Sequence, residues 1–253
     1  MKTHTADCFV LNTKDHGESD KLVTCYSRDH GKITGIAKGA KRSKRRFVNK
    51  LELFTRLDIM YSQPRTGSLF FIHEAELITA SLSLRRAYNR YLAASYLAEL
   101  ILKWTGDHDS DSAIFALLEW GFSSLEKGKK ELQVVALFHI RLMGLSGYQP
   151  VLSKCTACGQ PIQRSQTYHV LPEGGAIACS SCIPKAFNRD SIQVTVQTLK
   201  FLQRAQQVEL SHLNRLQMPD PAIQQAVTTL HRFSLHLLQH DLTGWKALIS
   251  LFP

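Results

Sequence analysis

The sequence predicts an α+β protein of more than one domain, with a small β-barrel first and an all-α domain after it. Two features of the hydrophobic pattern of the 253-residue chain indicate this order. Up to about residue 80, apolar and polar residues alternate over short stretches, which is the period of half-buried strands. From Ser83 onward, apolar residues recur at helical spacing. One stretch with neither period, which contains two cysteine pairs, interrupts the helical part and predicts a small insert.

The clearest predicted strand is "LELFTRLDIMYS", residues 51–62, in which Leu57, Ile59 and Tyr61 fall on one face and Phe54 on the other. Weaker strands are expected at 7–13, 21–28, 31–38 and 68–75, separated by the turn-like stretches "KDHGESD", "RDHG" and "QPRTG". Five short strands fit a small antiparallel barrel such as the oligonucleotide-binding (OB) fold. We therefore predict an OB-fold, nucleic-acid-binding domain over residues 1–80.

The remaining residues, 81–253, are predicted to form a helical domain. Three helices are expected between residues 83 and 147, with Asp111 or Ser112 as the N-cap of the second and an end near Gly147 for the third. Helical patterns return at 194–207, 221–240 and 244–251. Between these blocks, residues 153–187 are predicted to form the insert.

The insert contains four cysteines in the pattern C-x2-C-x20-C-x2-C, namely Cys155, Cys158, Cys179 and Cys182. Four thiolates fill the tetrahedral shell of Zn(II), so the spacing predicts a structural zinc site with no open position for a substrate. Two disulfides or a redox-active cysteine pair are the alternatives, and a reducing compartment disfavours the first. His169 is expected to be a surface residue, not a fifth ligand. Cys8 and Cys25 are expected to be buried apolar residues of the barrel.

The excess positive charge of the chain is concentrated in "GKITGIAKGAKRSKRRFVNK", residues 31–50. The chain has 31 basic and 21 acidic residues, and this acid-free run holds eight of the basic ones. Such a concentration is typical of a surface that contacts phosphates. A solvated loop without a partner and an anionic membrane surface are the alternatives. The predicted DNA-binding residues are Lys32, Lys38, Lys41, Arg42, Lys44, Arg45, Arg46, Phe47 and Lys50. Of the nearby aromatic residues, only Phe47 is expected to be exposed for base stacking, whereas Tyr26 and Tyr61 are expected in the core.

No catalytic pattern is recognisable. The sequence has no HExxH, GxSxG or GxGxxG motif and no GK[ST] triplet, so we expect a protein that is not an enzyme. A nuclease with a dispersed site is kept as a further hypothesis. The N-terminus has no signal-peptide pattern and the apolar stretches are too short to span a bilayer, so a cytoplasmic, nucleoid-associated protein is expected.

Taken together, these segments resemble the bacterial RecO family of recombination mediators. The resemblance begins with "VLNTKDHGESDKLVTCYSRDHGKITGIAKGAKRSK", continues through "LELFTRLDI" and "LSGYQPVLSKCTACG", and ends with "GGAIACSSC". It spans nearly the whole chain, and the order of barrel, helices, cysteine insert and helices is its specific feature.

The resemblance implies a non-catalytic mediator of DNA repair and homologous recombination. Such a protein would bind single- and double-stranded DNA, anneal complementary strands, and act with RecR to load RecA on DNA coated by single-strand binding protein (SSB). The helical domain would bind the acidic, apolar-ended tail of SSB. The predicted groove residues for that tail are Leu199, Lys200, Leu202, Arg204, Arg215, Arg232 and Phe233. A zinc-containing OB-fold protein that binds RNA or the ribosome is the alternative function.

Overall fold

The computed structural model describes residues 3–63, 69–164, 166–171, 175–183 and 191–252. The chain divides into two compact units, Met1–Glu126 and Lys127–Pro253. The barrel ends at Thr79, and the helices that follow it up to Glu126 belong to the same compact unit. The predicted domain boundary at residues 80 and 81 stays a prediction. The start of the predicted strand 68–75 and parts of the predicted insert (165, 172–174 and 184–187) lie outside the described residues.

Five strands form a closed barrel in the first unit. They are β1 (Thr3–His16), β2 (Asp20–Ser27), β3 (Gly31–Ala37), β4 (Arg56–Ser62) and β5 (Phe70–Thr79). Their order around the barrel is β1-β2-β3-β5-β4, and β1 closes the barrel by pairing with β4. The pairs are antiparallel except β3–β5, in which Gly35–Ala37 lies parallel to Phe70–Ile72. The predicted five-stranded barrel is confirmed, with this parallel pair as the difference.

Buried residues alternate along the barrel strands β3 and β4, as the sequence predicts for β4. In β3, every second residue from Gly31 to Ala37 is buried, and Leu57, Ile59 and Tyr61 of β4 are buried as the sequence indicates. Cys8 and Cys25 lie in this core, as expected for apolar cysteines. Gly35 has no room for a side chain, because a Cβ there would lie 2.9 Å from Cγ1 of Ile72.

The strand predicted at 51–62 begins only at Arg56. Phe54 has a left-handed backbone (φ 67°) and is fully buried, although the alternation assigned it to the outer face. The backbone N–H of Phe54 donates to the carbonyl of Val10, and the N–H of Val10 donates to the carbonyl of Thr55, both at 2.9 Å. This crossing of the chain turns the Phe54 ring inward against Tyr91 and Phe122.

Three helices complete the first unit: α1 (Leu82–Arg86), α2 (Tyr88–Trp104) and α3 (Ser112–Glu126). A carboxylate oxygen of Asp111 accepts the backbone N–H groups of Ala113 and Ile114, so the predicted N-cap is Asp111. The ring of Phe9 in β1 packs against Phe115 and Phe122 of α3, which explains why these helices and the barrel form one compact unit.

The second unit contains four helices and a small sheet among its described residues. The helices are α4 (Glu131–Leu145), α5 (Val196–Gln207), α6 (Asp220–Leu238) and α7 (Trp245–Ile249), with a short 3₁₀ helix at Leu210–Arg215. The predicted insert contains regular structure: its strands β6 (Tyr168–Leu171) and β7 (Ala176–Cys179) form an antiparallel sheet with β8 (Ile192–Val194), which follows the insert, in the order β7-β6-β8. Among the described residues, no helix combines the length and hydropathy that crossing a bilayer requires.

Candidate nucleic-acid interface and metal centre

The charged run continues from β3 as a loop, residues 38–50, which we call the basic loop. Phe47 is only 3% exposed and belongs to the barrel core together with Ala40 and Leu51. The predicted exposure of Phe47 is therefore wrong. A ring of this size gains about 2–3 kcal/mol from leaving water, so it is the residue that holds this charged segment against the barrel. The backbone N–H of Phe47 also donates to Oγ of Ser43 (3.1 Å), which folds the loop on itself.

Most of the cations of the basic loop face solvent. The exposed ones are Lys38, Lys41, Arg42, Lys44, Arg45 and Arg46. Lys41 pairs with Asp15 at 2.9 Å, and Arg42 lies 3.7 Å from Glu18. Exposed pairs of this kind contribute about 0–1 kcal/mol, so phosphates can displace them. Within the described part of the chain, Lys44 and Arg45 have neither an ion pair nor a hydrogen bond from their side chains.

Two cations of the loop also bind the edge of β5. The pairing of β5 with β3 ends at Ile72, so the next carbonyls of β5 are open to the loop. The Arg46 guanidinium donates to the carbonyl of His73 at 3.2 Å, and Nζ of Lys50 donates to that of Ala75 at 2.7 Å. These two side chains therefore fix the position of the loop in addition to carrying charge.

Lys32 is not part of the exposed surface. Its Nζ donates to the carbonyls of Leu102 (3.1 Å) and Thr105 (2.8 Å) and lies 3.3 Å from a carboxylate oxygen of Asp107. The ammonium group thus caps the carboxyl end of α2, where the helix dipole favours a cation. The expectation that Lys32 faces a phosphate is corrected, since its ammonium group already binds the end of α2 and Asp107 within the first unit.

The other two aromatic residues near the basic run are buried, as expected. Tyr26 is fully buried and Tyr61 is 3% exposed. Burial raises the pKa of Tyr26 to about 12, against a hydrogen bond from its hydroxyl to the carbonyl of Asp111. Both residues support the barrel and offer no ring to a nucleic-acid base.

The four cysteines of the insert come together as the spacing predicts. The Sγ atoms of Cys155, Cys158, Cys179 and Cys182 all lie within 4.8 Å of one another. A tetrahedral site with Zn–S bonds of about 2.3 Å needs sulfurs about 3.8 Å apart. The group therefore fits a four-coordinate metal ion after small side-chain adjustments.

Backbone hydrogen bonds around Cys155 prepare the site for a thiolate. Burial raises the pKa of Cys155, but N–H groups of Cys158, Cys179 and Ala157 point at its sulfur and lower the pKa to about 6. The N–H of Cys179 lies 3.4 Å from this sulfur and so joins the two pairs. Gly159 follows the first pair in a left-handed conformation (φ 73°), which lets the chain turn back there. These bonds to sulfur are typical of a thiolate ligand, not of a disulfide.

His169 lies outside this group. It is on β6, paired in register with Ala178, and its Nδ1 lies 3.0 Å from Oγ of Ser191. Among the described residues, the candidate metal ligands are the four cysteines alone.

A groove of about 510 Å³ lies beside α5 in the second unit. Three predicted cations line it: Lys200, Arg204 and Arg215. The predicted apolar lining is wrong, because Leu199, Leu202 and Phe233 are fully buried in the core. Arg232 is exposed on α6 but does not line the groove.

The apolar side of the groove comes from residues that the helical pattern did not indicate. They are Phe201, Val208, Leu216, Met218 and Pro219. Val208 directly follows α5, and Leu216, Met218 and Pro219 lie between the 3₁₀ helix and α6, where no helical period exists. The apolar residues of "LNRLQMP" are the sequence signal for this lining, but the sequence alone does not show that they face a groove.

The strand order of the closed barrel is that of the OB fold, so the chain is an OB-fold protein with a helical part and a four-cysteine insert. The family described as "Recombination protein O N terminal" matches residues 1–81, and "Recombination protein O C terminal" matches residues 85–246. The chain belongs to the RecO family of DNA repair and recombination proteins.

Individual relatives agree with this assignment over nearly the full length. The DNA repair protein RecO of Syntrophus aciditrophicus is 30% identical over 97% of this chain and 95% of its own length. The protein of the same name from Syntrophobacter fumaroxidans is 31% identical over 85% of both chains. That of Myxococcus xanthus is 33% identical over 82% of this chain and 83% of its own.

Proposed function

We propose that this protein is a non-catalytic recombination mediator that binds single- and double-stranded DNA through the basic loop and anneals complementary strands. With RecR it would help to load RecA on DNA coated by SSB, in the cytoplasm at the nucleoid. One observation carries the DNA-binding part. Six cations of the loop are exposed at the surface of an OB barrel, and the two nearby acids, Asp15 and Glu18, hold them only by exposed pairs. Membership of the RecO family supports the parts of the proposal that concern RecR and RecA.

Phosphate contact by such a loop is electrostatic and therefore depends on salt. Each cation that meets a single-strand phosphate releases condensed counterions, and the logarithm of the affinity then falls with the logarithm of the salt concentration by about 0.7 per contact. Lys44 and Arg45 are the best residues to test, because their side chains have no partner among the described residues. Arg46 is less suitable, because its reversal would also remove the bond to β5.

The double variant Lys44→Glu/Arg45→Glu should lower the affinity for oligo(dT) at low salt by about tenfold or more, and reduce the salt slope by about 1.4. Annealing of complementary strands should slow in parallel. Lys127→Glu/Lys129→Glu is the matched control, since both residues are exposed and the change in net charge is the same. Equal affinity and annealing in the Lys44/Arg45 variant and in the control would exclude the basic loop as the DNA surface. A strong preference for RNA of the same sequence would favour the RNA-binding alternative.

We infer that the cysteine group binds Zn(II) as a structural ion. Four thiolates suit this ion and fill its coordination shell, so the site supplies folding energy to the insert and no catalysis. Mass spectrometry of the native protein should show one zinc per chain, and Cys158→Ser should lose it. A metal-free protein with all four thiols reactive would contradict this assignment.

We further propose that the groove beside α5 binds the tail of SSB. Its rim is cationic through Lys200, Arg204 and Arg215, and its floor is apolar through Phe201 and Met218, which fits an acidic peptide with an apolar C-terminal residue. A peptide of this kind should bind more weakly when its carboxylate is amidated. Lys200→Glu/Arg204→Glu should abolish binding, whereas Arg232→Glu, outside the groove, should not. Full binding by the double variant would exclude the groove.

A further inference from the structure

A second surface of the first unit combines exposed aromatic rings with arginines and lies at the start of α2. Tyr88 is 68% exposed and Tyr91 is 37% exposed, so both rings can be reached from solvent. Arg86 and Arg90 alternate with them in the sequence "RRAYNRY". Neither arginine has an ion pair or a hydrogen bond from its side chain among the described residues.

The charge along this part of the chain has one sign. The stretch from residue 77 to residue 98 contains three arginines and no acid. Arg85 alone is used internally, because its guanidinium donates to the carbonyl of Leu53 (2.9 Å) and to Oγ1 of Thr55 (3.0 Å). Its two arginine neighbours therefore remain available to an anionic partner.

The same contacts bring this surface close to the basic loop. The loop ends at Lys50, and Leu53, which accepts the bond from Arg85, is three residues further along the chain. Three residues span at most about 10 Å. The ring of Phe54 then packs edge-on against Tyr91 at 5.7 Å. The aromatic surface thus lies next to the end of the basic loop.

We propose that Tyr88, with Arg86 and Arg90, forms a base-stacking platform for a single strand of nucleic acid whose phosphates lie on the basic loop. This inference rests on the proposed function and extends it. The loop itself offers no ring, because Phe47 is buried, and the barrel tyrosines are buried as well. Single-strand binders combine a cationic track with exposed rings on which bases stack, and here the two parts are adjacent. A duplex, whose bases are already stacked, would use only the cations.

The test separates the ring from the charges. Tyr88→Ala should weaken binding of oligo(dT) by about 5- to 150-fold, since one base loses its stacking partner. The same variant should bind an abasic deoxyribose-phosphate chain of equal length as the wild type does, and its salt slope should be unchanged. Tyr88→Phe should retain the affinity for oligo(dT). Arg86→Gln/Arg90→Gln should lower the salt slope by about 1.4 on both chains.

Tyr148→Ala is the matched control, because Tyr148 is similarly exposed (54%) but belongs to the second unit. Thermal unfolding of Tyr88→Ala should equal that of the wild type, as expected for an exposed side chain. The platform is refuted if Tyr88→Ala binds oligo(dT) normally, if it loses the same affinity for the abasic chain, or if Tyr148→Ala loses as much. Normal DNA binding with lost binding of purified RecR would instead assign the surface to a protein partner.

Failure of the platform and failure of the proposed function give different results. If the wild-type protein binds neither oligo(dT) nor the abasic chain, both proposals are refuted. If the wild type binds both chains and Lys44→Glu/Arg45→Glu weakens binding while Tyr88→Ala does not, only the platform is refuted.

Discussion

The barrel and the cysteine insert keep their shapes in different ways. In the barrel, residues from all five strands and from the basic loop form one continuous buried cluster. The insert has strands of three or four residues, and its small buried set, which includes Tyr168 and Ile177, is supplemented by four sulfurs. So short a sheet buries too little apolar surface to offset its chain entropy. Surface cations of the barrel can therefore change without loss of fold, whereas the candidate ligands of the insert are part of what holds it together.

Metal removal should give the largest contrast between the two regions. Structural zinc contributes about 10–16 kcal/mol of binding free energy in small zinc domains, so an insert without metal should unfold locally. We expect a strong chelator, or Cys158→Ser, to cause fast amide exchange in β6 and β7 while exchange in the barrel strands stays slow. Hydrogen-exchange mass spectrometry measures both regions in one sample.

Cys8→Ala serves as the control for this experiment, since Cys8 lies in the barrel core and outside the metal group. It should retain the metal and the slow exchange of the insert. Slow exchange of β6 and β7 in a protein proven to be metal-free would show that the insert has a sufficient core of its own.

Truncation of Phe47 should strongly destabilise the barrel. Phe47→Ala removes a 3%-exposed ring from the core and should lower the free energy of unfolding by about 3–5 kcal/mol. Val48→Ala, at a position 48% exposed, should change it by less than about 0.5 kcal/mol. Urea unfolding of the two variants gives both values. Equal midpoints for the two variants would mean that Phe47 does not contribute to the core in solution.

Phe47 also shows where sequence patterns succeed and fail. Alternation predicted the inward face of β4, because a strand in a barrel repeats the same environment every second residue. It placed Phe54 on the wrong face, and the neighbouring charges wrongly indicated that Phe47 is exposed, since both residues lie in irregular backbone. Phe47 is held by a loop turn at Ser43, and Phe54 itself has a left-handed backbone. In such segments, long-range contacts decide which side chain is buried.

The two candidate sites also differ in how far the sequence predicts them. The cysteine group follows from spacing alone, because ligand chemistry fixes which residues must meet. The basic run predicted charge at one place but not which cations stay exposed. Lys32 is used by α2, some seventy residues further along the chain, and no local pattern contains that contact.

A buried histidine predicts how the stability of the second unit depends on pH. His139 on α4 is fully buried, with its Nε2 2.5 Å from Oγ of Ser234 on α6. Burial, with a smaller contribution from His231, lowers the pKa of His139 to about 3 from its usual 6.5. The unfolded chain therefore binds a proton below pH 6.5 that the folded chain does not bind. Stability should fall by up to about 1.4 kcal/mol for each pH unit from 6.5 down to about 3.

Substitution isolates this effect from the acid sensitivity of the metal site. His139→Gln should be less stable near pH 7.5, but its stability should fall less between pH 7.5 and 5.5 than that of the wild type. His212→Gln, at a more accessible position of the 3₁₀ helix, is the control and should keep the full pH dependence. Identical pH dependence in wild type and His139→Gln, by urea unfolding at both pH values, would mean that another group titrates.

The smallest expected effect separates structural from binding cations within the basic run. Lys32→Gln removes an ammonium group that caps α2 and should cost about 1 kcal/mol of stability. It should leave the salt slope of DNA binding unchanged, because this charge does not face solvent. Lys44→Gln should do the opposite, with stability within about 0.5 kcal/mol of wild type and a salt slope lower by about 0.7. Urea unfolding and salt titrations of oligo(dT) binding give the four values. If Lys32→Gln lowers the slope as Lys44→Gln does, the Lys32 ammonium group must leave the end of α2 when DNA binds and contact a phosphate instead.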